Sequence, residues 1–475
     1  MVLASPSTPS QLINRPSPPP DAMARTRSQR STSETEDTSI AHGVPAAPLL
    51  VGEKQHDGIG RSEEEIESNI NHNHDCQKTN KSSFAKTCFN GLNALSGAGL
   101  LSIPYALASG GWLSLILLVV IASAAFYSGI LIKRSLELDS INITTYSDIG
   151  YRAFGNKGRT MAAILMYSEQ YLVATGFLIL GGDNLNNLFP RVKLDISGGL
   201  TLDGQQCFIL IVALAILPSV WFDDLSLLSY VSASGVIASL VIFLSIVWAA
   251  AFDGIGFHLQ NTSILNLYGL PTALSLYAFC YSAHPVFPAL YTNIKNKNQF
   301  SHVLGLCFFL CTFTYAAVAV LGYLMYGTNI RSEITLNLPT KNVSSKVATY
   351  TTLITPIAKY AINVTPIVDE VKRCLPNHLS PKFSGMIIGT TILITNVVVA
   401  LTVPFFALLM SLVGALVSVT TAITFPCLCY FKISGNYRRF GYETVVLLSI
   451  MMMGIAVAIC GTYTSLLDII RKLQS

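Results

Sequence analysis

Charge is what this sequence has least of. Only 12% of its 475 residues are Asp, Glu, Lys or Arg, about half the ~25% share of a soluble domain. Even that is unevenly spread, because residues 1–83 hold 8 Lys/Arg and 11 Asp/Glu, which leaves 22 and 15 for the remaining 392 residues. Other things are missing too. No G-x-x-x-x-G-K-[ST] phosphate loop is present, which argues against ATP-driven work by this chain alone. No K⁺-type filter sequence occurs. The ten cysteines show no metal or disulfide-framework spacing, and most lie in or beside apolar runs, where free Cys packs as a small hydrophobe. His, Asp and Glu do not cluster with ligand spacing within those runs, and no nucleophile has an evident base. The expectation is therefore no cofactor, no resident metal and no enzymatic reaction. Nucleic-acid binding, a secreted disulfide scaffold and a cytosolic enzyme are disfavoured together.

What the chain has in abundance is apolar runs about twenty residues long, enough to cross ~30 Å of hydrocarbon at 1.5 Å per residue. From Phe84 onward eleven can be counted, at 84–107, 112–132, 160–181, 205–221, 226–251, 270–291, 302–326, 347–368, 384–403, 405–430 and 443–467. The division near Pro404 is the weakest. The predicted class is all-α: a polytopic protein embedded in a lipid bilayer, with about 11 transmembrane helices over residues 84–470.

Residues 1–83 are rich in Ser, Pro, Thr and Glu, with Pro18-Pro19-Pro20 and the acidic run Glu63-Glu64-Glu65-Ile66-Glu67. Such a segment buries too little apolar area to offset its ordering entropy, so a disordered tail is expected. It has no apolar h-region, so no cleavable secretory signal is expected. Lys and Arg number thirteen in loops on the N-terminal side and seven on the other, which places the N-terminus in the cytosol. Leu49-Leu50 resembles a dileucine sorting signal, but Pro45 stands where an acidic residue would be expected.

Segment one places Gly91, Gly97 and Gly99, Asn90 and Asn93, Ser96 and Ser102, and Pro104 within one crossing. Glycine costs ~1 kcal/mol and proline ~3 kcal/mol inside a helix relative to alanine. Two readings follow: a helix that unwinds at mid-membrane, or small residues that admit a close neighbour. Segment six carries Cys280-Tyr281-Ser282-Ala283-His284-Pro285-Val286-Phe287-Pro288, where two prolines each remove a donor and clash with the preceding turn. Breaks five segments apart favour the first reading and point to an inverted-repeat transporter with its site at the midplane. Unwound backbone at that depth must be buried or line a cavity.

Two charges sit near the centres of other crossings: Glu169 in segment three and Lys359 in segment eight, again five apart. Each costs ~2.5–3.5 kcal/mol at mid-bilayer on insertion scales, so each should face the interior with a partner. They are either proton-coupling groups or a structural ion pair, and Lys359 has polar surroundings within reach near Thr355. His284 either titrates or donates to freed backbone. Asp183, ending segment three, is expected at the interface.

The run Asn93-Ala94-Leu95-Ser96-Gly97-Ala98-Gly99-Leu100-Leu101-Ser102-Ile103-Pro104-Tyr105-Ala106, followed by Gly110-Gly111-Trp112, resembles the opening signature of the amino acid/auxin permease family. Gly181-Gly182-Asp183-Asn184-Leu185 and Ser411-Leu412-Val413-Gly414-Ala415 resemble its later landmarks. The chain is most similar to the plant branch of vacuolar amino acid transporters. The resemblance implies eleven spans around an inverted-repeat, LeuT-like core with helices 1 and 6 broken. It implies exchange of protons for neutral amino acids across the vacuolar membrane (tonoplast). The substrate backbone would be held by Ser96, Gly97, Ala98 and Gly99 together with the second break. In mechanism, the carboxylate would meet N–H groups near Ser96–Gly99 and the ammonium the carbonyls near Tyr281, Ser282, Ala283 and His284, with Asn93 a side-chain contact. Helix eight lies against helix one in this architecture, where sodium-coupled relatives bind a cation. Lys359 there would replace the cation and link transport to pH, with Glu169 the second coupling candidate. Two alternatives stay open: an amino-acid sensor signalling through its N-terminal tail, and a proton-coupled importer of auxin-like small organic acids.

Overall fold

The computed structural model describes residues 81–139, 143–190, 194–196, 200–221, 225–374, 380–435 and 441–474. The tail expected to be disordered lies outside the described residues except for its last three. Those are tied down: Ser82 exchanges backbone hydrogen bonds with Asn293 and Lys295, and Ser83 caps the first helix.

Each long apolar run becomes a helix, because backbone N–H and C=O groups in hydrocarbon have no partner but one another. The first run forms α1 (Phe84–Leu95) and α2 (Gly99–Gly110). Next come α3 (Ser114–Leu138), the short α4 (Tyr146–Phe154) and α5 (Asn156–Leu188). A small antiparallel hairpin, Leu194–Ile196 with Leu200–Leu202, leads into α6 (Gly204–Trp221) and α7 (Leu225–Phe252). The sixth run is split into α8 (Leu270–Cys280) and α9 (Phe287–Asn293). Then follow α10 (Phe300–Tyr326), α11 (Val343–Cys374) and α12 (Pro381–Thr402). The tenth run is α13 (Phe406–Val413), two π-helical turns (Gly414–Ser418 and Thr420–Thr424) and α14 (Phe425–Ile433). The chain ends in α15 (Tyr442–Gln474).

Eight of the described helical stretches are long and apolar enough to cross a membrane. The two interrupted runs miss that measure because each half is too short. α11 misses it because its centre carries Lys359, Pro356 and several threonines.

Two helices show the extremes of environment. The stretch Phe406–Ile433 is 83% buried over its apolar window and forms the hub, whereas Tyr442–Gln474 is only 28% buried. On α15 the exposed residues Met452, Ile455, Ile459, Tyr463, Leu466 and Ile470 recur every three or four positions, a stripe on one helix face. So large an unbroken apolar face is unsuited to water and fits hydrocarbon. Within the hub, Gly414 lets α8 come close, since a Cβ there would lie 3.1 Å from Phe279 Cβ and collide with the Ser275 carbonyl.

Candidate functional site

α1 stops because Ser96 turns extended (φ −85, ψ 97), its N–H closing on the Leu92 carbonyl. Gly97 and Ala98 bridge to α2, whose N-cap is Ala98, without a side-chain cap. α8 stops at Cys280, and Pro285 and Pro288 forbid an uninterrupted restart, so one 3₁₀ turn over His284–Val286 intervenes before α9. The two breaks touch. A Cβ on Gly99 would sit 2.6 Å from Cys280 Sγ and 3.2 Å from its Cα, so a side chain at Gly99 would drive the breaks apart.

The buried charges meet these breaks rather than each other. Lys359 Nζ donates to the Ser96 carbonyl at 2.9 Å. Glu169 Oε1 accepts from Ser282 Oγ and from Ser418 Oγ, both at 2.5 Å. Among the described residues no salt bridge joins Glu169 to Lys359. The structural ion pair is thereby removed as an account of them. Thr355 is not the partner of Lys359 either, its hydroxyl being turned back to the Thr351 carbonyl.

A cavity of about 870 Å³ lies against both breaks and reaches the exposed Lys86 at the start of α1. Ser96, Gly97, Ala98, Gly99, Asn93, Ser282, Ala283, Glu169 and Lys359 all line it. The volume is in the range of small-molecule sites. Two of the residues expected at the site do not line it. Tyr281 is wholly buried with its hydroxyl on Thr312 at 2.9 Å. His284 is wholly buried with Nε2 2.8 Å from Ser128 Oγ and 2.9 Å from the Ala125 carbonyl of α3. His284 therefore does not bond freed backbone of its own break. The Ala278 and Phe279 carbonyls are already taken by the N–H groups of Tyr281 and Ser282, and the Cys280 carbonyl lies 3.3 Å from the Tyr315 hydroxyl.

The chain matches the family described as "Transmembrane amino acid transporter protein" over residues 80–467. It belongs to that family. The family is one of transporters, not enzymes. Similar curated proteins include Amino acid transporter AVT1J of Arabidopsis thaliana, 57% identical over 394 residues, covering 82% of this chain and 92% of the relative. Amino acid transporter AVT1I of the same plant is 55% identical over 401 residues, covering 84% and 98%. Among solved structures, MhsT in complex with L-phenylalanine has a TM-score of 0.51 at 10% identity, covering 80% of this chain and 98% of its own. Mhp1 in a closed conformation with bromovinylhydantoin bound reaches 0.52 at 12%, covering 83% and 93%. At such identities the likeness concerns fold alone, and the fold of this transporter is LeuT-like.

Three residues around the two breaks escape sequence reasoning. Tyr315 of α10 donates its hydroxyl to the Leu95 carbonyl at 2.6 Å, with the Cys280 carbonyl at 3.3 Å, so one phenol bridges the ends of both broken helices. Ser418 ties Glu169 to the hub. Gly235 of α7 lies over Lys359, where a Cβ would come 2.8 Å from its Cε. Tyr315 is one of 20 tyrosines in an apolar chain, and nothing local sets it apart. Asp183 lies near the end of α5 and accepts from Gln205 Nε2.

Proposed function

We propose that this transporter carries neutral amino acids by alternating access around the two breaks, exchanging them for protons across the vacuolar membrane with its N-terminus in the cytosol. The observation that carries this reading is the pair of contacts by which Lys359 holds the Ser96 carbonyl and Glu169 holds Ser282. One buried ionisable group reaches each break, Lys359 at a backbone carbonyl and Glu169 at a serine hydroxyl, so a proton lost by Lys359 loosens the backbone at the substrate site.

The start of α2 is the positive end of a helix dipole and suits a carboxylate. An ammonium would share the carbonyl ends of α1 and α8 with Tyr315, Lys359 and the local backbone, through the second lone pair that each carbonyl keeps. The substrate's side chain would meet Met166, Val173, Phe177, Phe279 and Ile362. The two buried charges that line the cavity, Glu169 and Lys359, are already engaged with protein groups, which favours neutral over charged side chains. The expected count of eleven spans belongs to this reading: the eight long apolar helices, α11 and the two interrupted runs. The vacuolar assignment rests on resemblance to the plant vacuolar branch, and the span 84–470 is taken as the transport domain.

Lys359→Met tests the proton role. The variant should insert and still exchange labelled for unlabelled amino acid without a pH gradient, yet lose gradient-driven accumulation about 100-fold. Accumulation that still follows the gradient would contradict the proposal.

A further inference from the structure

We propose that Asp183 and Glu333 form a proton-binding pair, one proton held between two carboxyls, which clamps the connection 327–342 over the side of the transporter away from the cavity mouth. This goes beyond the exchange reading and does not depend on it.

The connection joins α10 to α11 and folds inward. Glu333, Ile334 and Thr335 are all 0% exposed. Ile334 wedges against α2 and α10, since a Cβ on Gly322 would meet Pro104 at 2.6 Å and Ile334 Cδ1 at 2.8 Å. Glu333 Oε2 accepts from Asn184 Nδ2 at 2.5 Å, and the carboxyl of Asp183, one position before that asparagine, adjoins it. Asp183 accepts from Gln205 at the start of α6. Oε1 of Glu333 and Oδ1 of the wholly buried Asn184 have no hydrogen-bond partner among the described residues.

Adjoining carboxyls, one of them wholly buried, repel when both are ionised, and a hydrogen bond between them requires a proton. Burial first, and then the Asp183 charge, push the Glu333 carboxyl well above the usual carboxylate range. Among the described residues no cation forms a salt bridge with either carboxyl. α2 carries no Lys, Arg, Asp or Glu, while Arg331 and Lys341 of the connection, Lys346 of α11 and Asp203 before α6 are exposed. Asp253, ending α7, accepts from Ser344 instead.

Loss of the proton places two negative charges side by side, one on the wholly buried Glu333 and one on the half-buried Asp183, and the connection detaches. Acid on that side therefore keeps the clamp shut and alkali releases it. The pair titrates as a unit rather than as two separate groups.

Hydrogen exchange of residues 327–342 in the purified full chain, corrected for the intrinsic rate, tests this from pH 5.5 to 8. Protection should fall at least tenfold as pH rises. Glu333→Gln, whose amide can donate to Asp183 without a proton, should stay protected throughout, and so should Asp183→Asn with the roles reversed. If Glu333→Gln does not fold, Asp183→Asn is read in its place. Wild-type protection that ignores pH, or a variant that keeps the wild-type pH dependence, overturns the pair. The readout needs no flux, so failure of the exchange proposal would appear separately, as absent uptake with the pH-dependent protection intact.

Discussion

The two broken helices are held by opposite charges, and the elements supplying those charges differ in rigidity. At the first break an ammonium donates to a carbonyl, Lys359 to Ser96. It comes from α11, which has prolines at 356 and 366 on either side. At the second break a carboxylate accepts from hydroxyls, and Glu169 divides its Oε1 between Ser282 in the break and Ser418 in the buried hub. The first break thus hangs on one charged contact from a proline-flanked helix, while the second is pinned to the most buried of the eight long apolar helices. An ammonium that loses its proton weakens its hold on a carbonyl, whereas a neutral carboxyl can still bond serine. On the proposed exchange of protons for amino acids, coupling falls to the first break and anchoring to the second.

Variants can break that asymmetry. Lys359→Met should have the largest effect, the ~100-fold loss of gradient-driven accumulation already stated. Glu169→Gln keeps an oxygen for both serines and removes only the charge. It should lower the rate about tenfold, or ~1.4 kcal/mol on the barrier, measured as initial uptake; a loss as large as that of Lys359→Met would abolish the distinction. Tyr315→Phe deletes the hydroxyl that bridges the Leu95 and Cys280 carbonyls. A hydrogen bond nets ~0.5–1.5 kcal/mol, so apparent affinity should weaken a few-fold, read from the concentration dependence of uptake.

The smallest effect lies away from both breaks. Thr145 caps α4 and forms a capping box with Asp148. Burial alone would raise the Asp148 carboxyl, but hydrogen bonds from Thr145 and Thr144 outweigh it and hold it below the usual range. A carboxyl lowered in the folded state contributes stability above its unfolded pKa, about 3.9, and that contribution is lost as pH falls through the folded value. Thr145→Ala should cost ~1 kcal/mol of stability in thermal unfolding near neutral pH, less in strong acid, and leave flux unchanged.

Much of this architecture is legible in the sequence because a bilayer imposes simple rules. Apolar length gives the helices, and the glycines and prolines of segments one and six locate the breaks to within a few residues. Glu169 and Lys359 stand out because charge in an apolar run is costly. The partners of those charges are not legible: Ser418 and Ser282 are ordinary hydroxyls until packing brings three helices together. Tyr315 acts through a contact 220 positions away in sequence, which no local pattern encodes. Tyr281 and His284 show the converse, for proximity to a break places a residue near the cavity without deciding which way its side chain turns. Glu333 is not legible either, because a carboxylate in a connection is ordinarily solvated, and only the inward fold of 327–342 buries it.

The most direct measurement is uptake of a labelled neutral amino-acid mixture into proteoliposomes with an acidified interior, with and without an ionophore that collapses the pH gradient. The account predicts accumulation that vanishes with the gradient. Equilibration indifferent to the gradient would contradict proton exchange and remove the coupling role of Lys359.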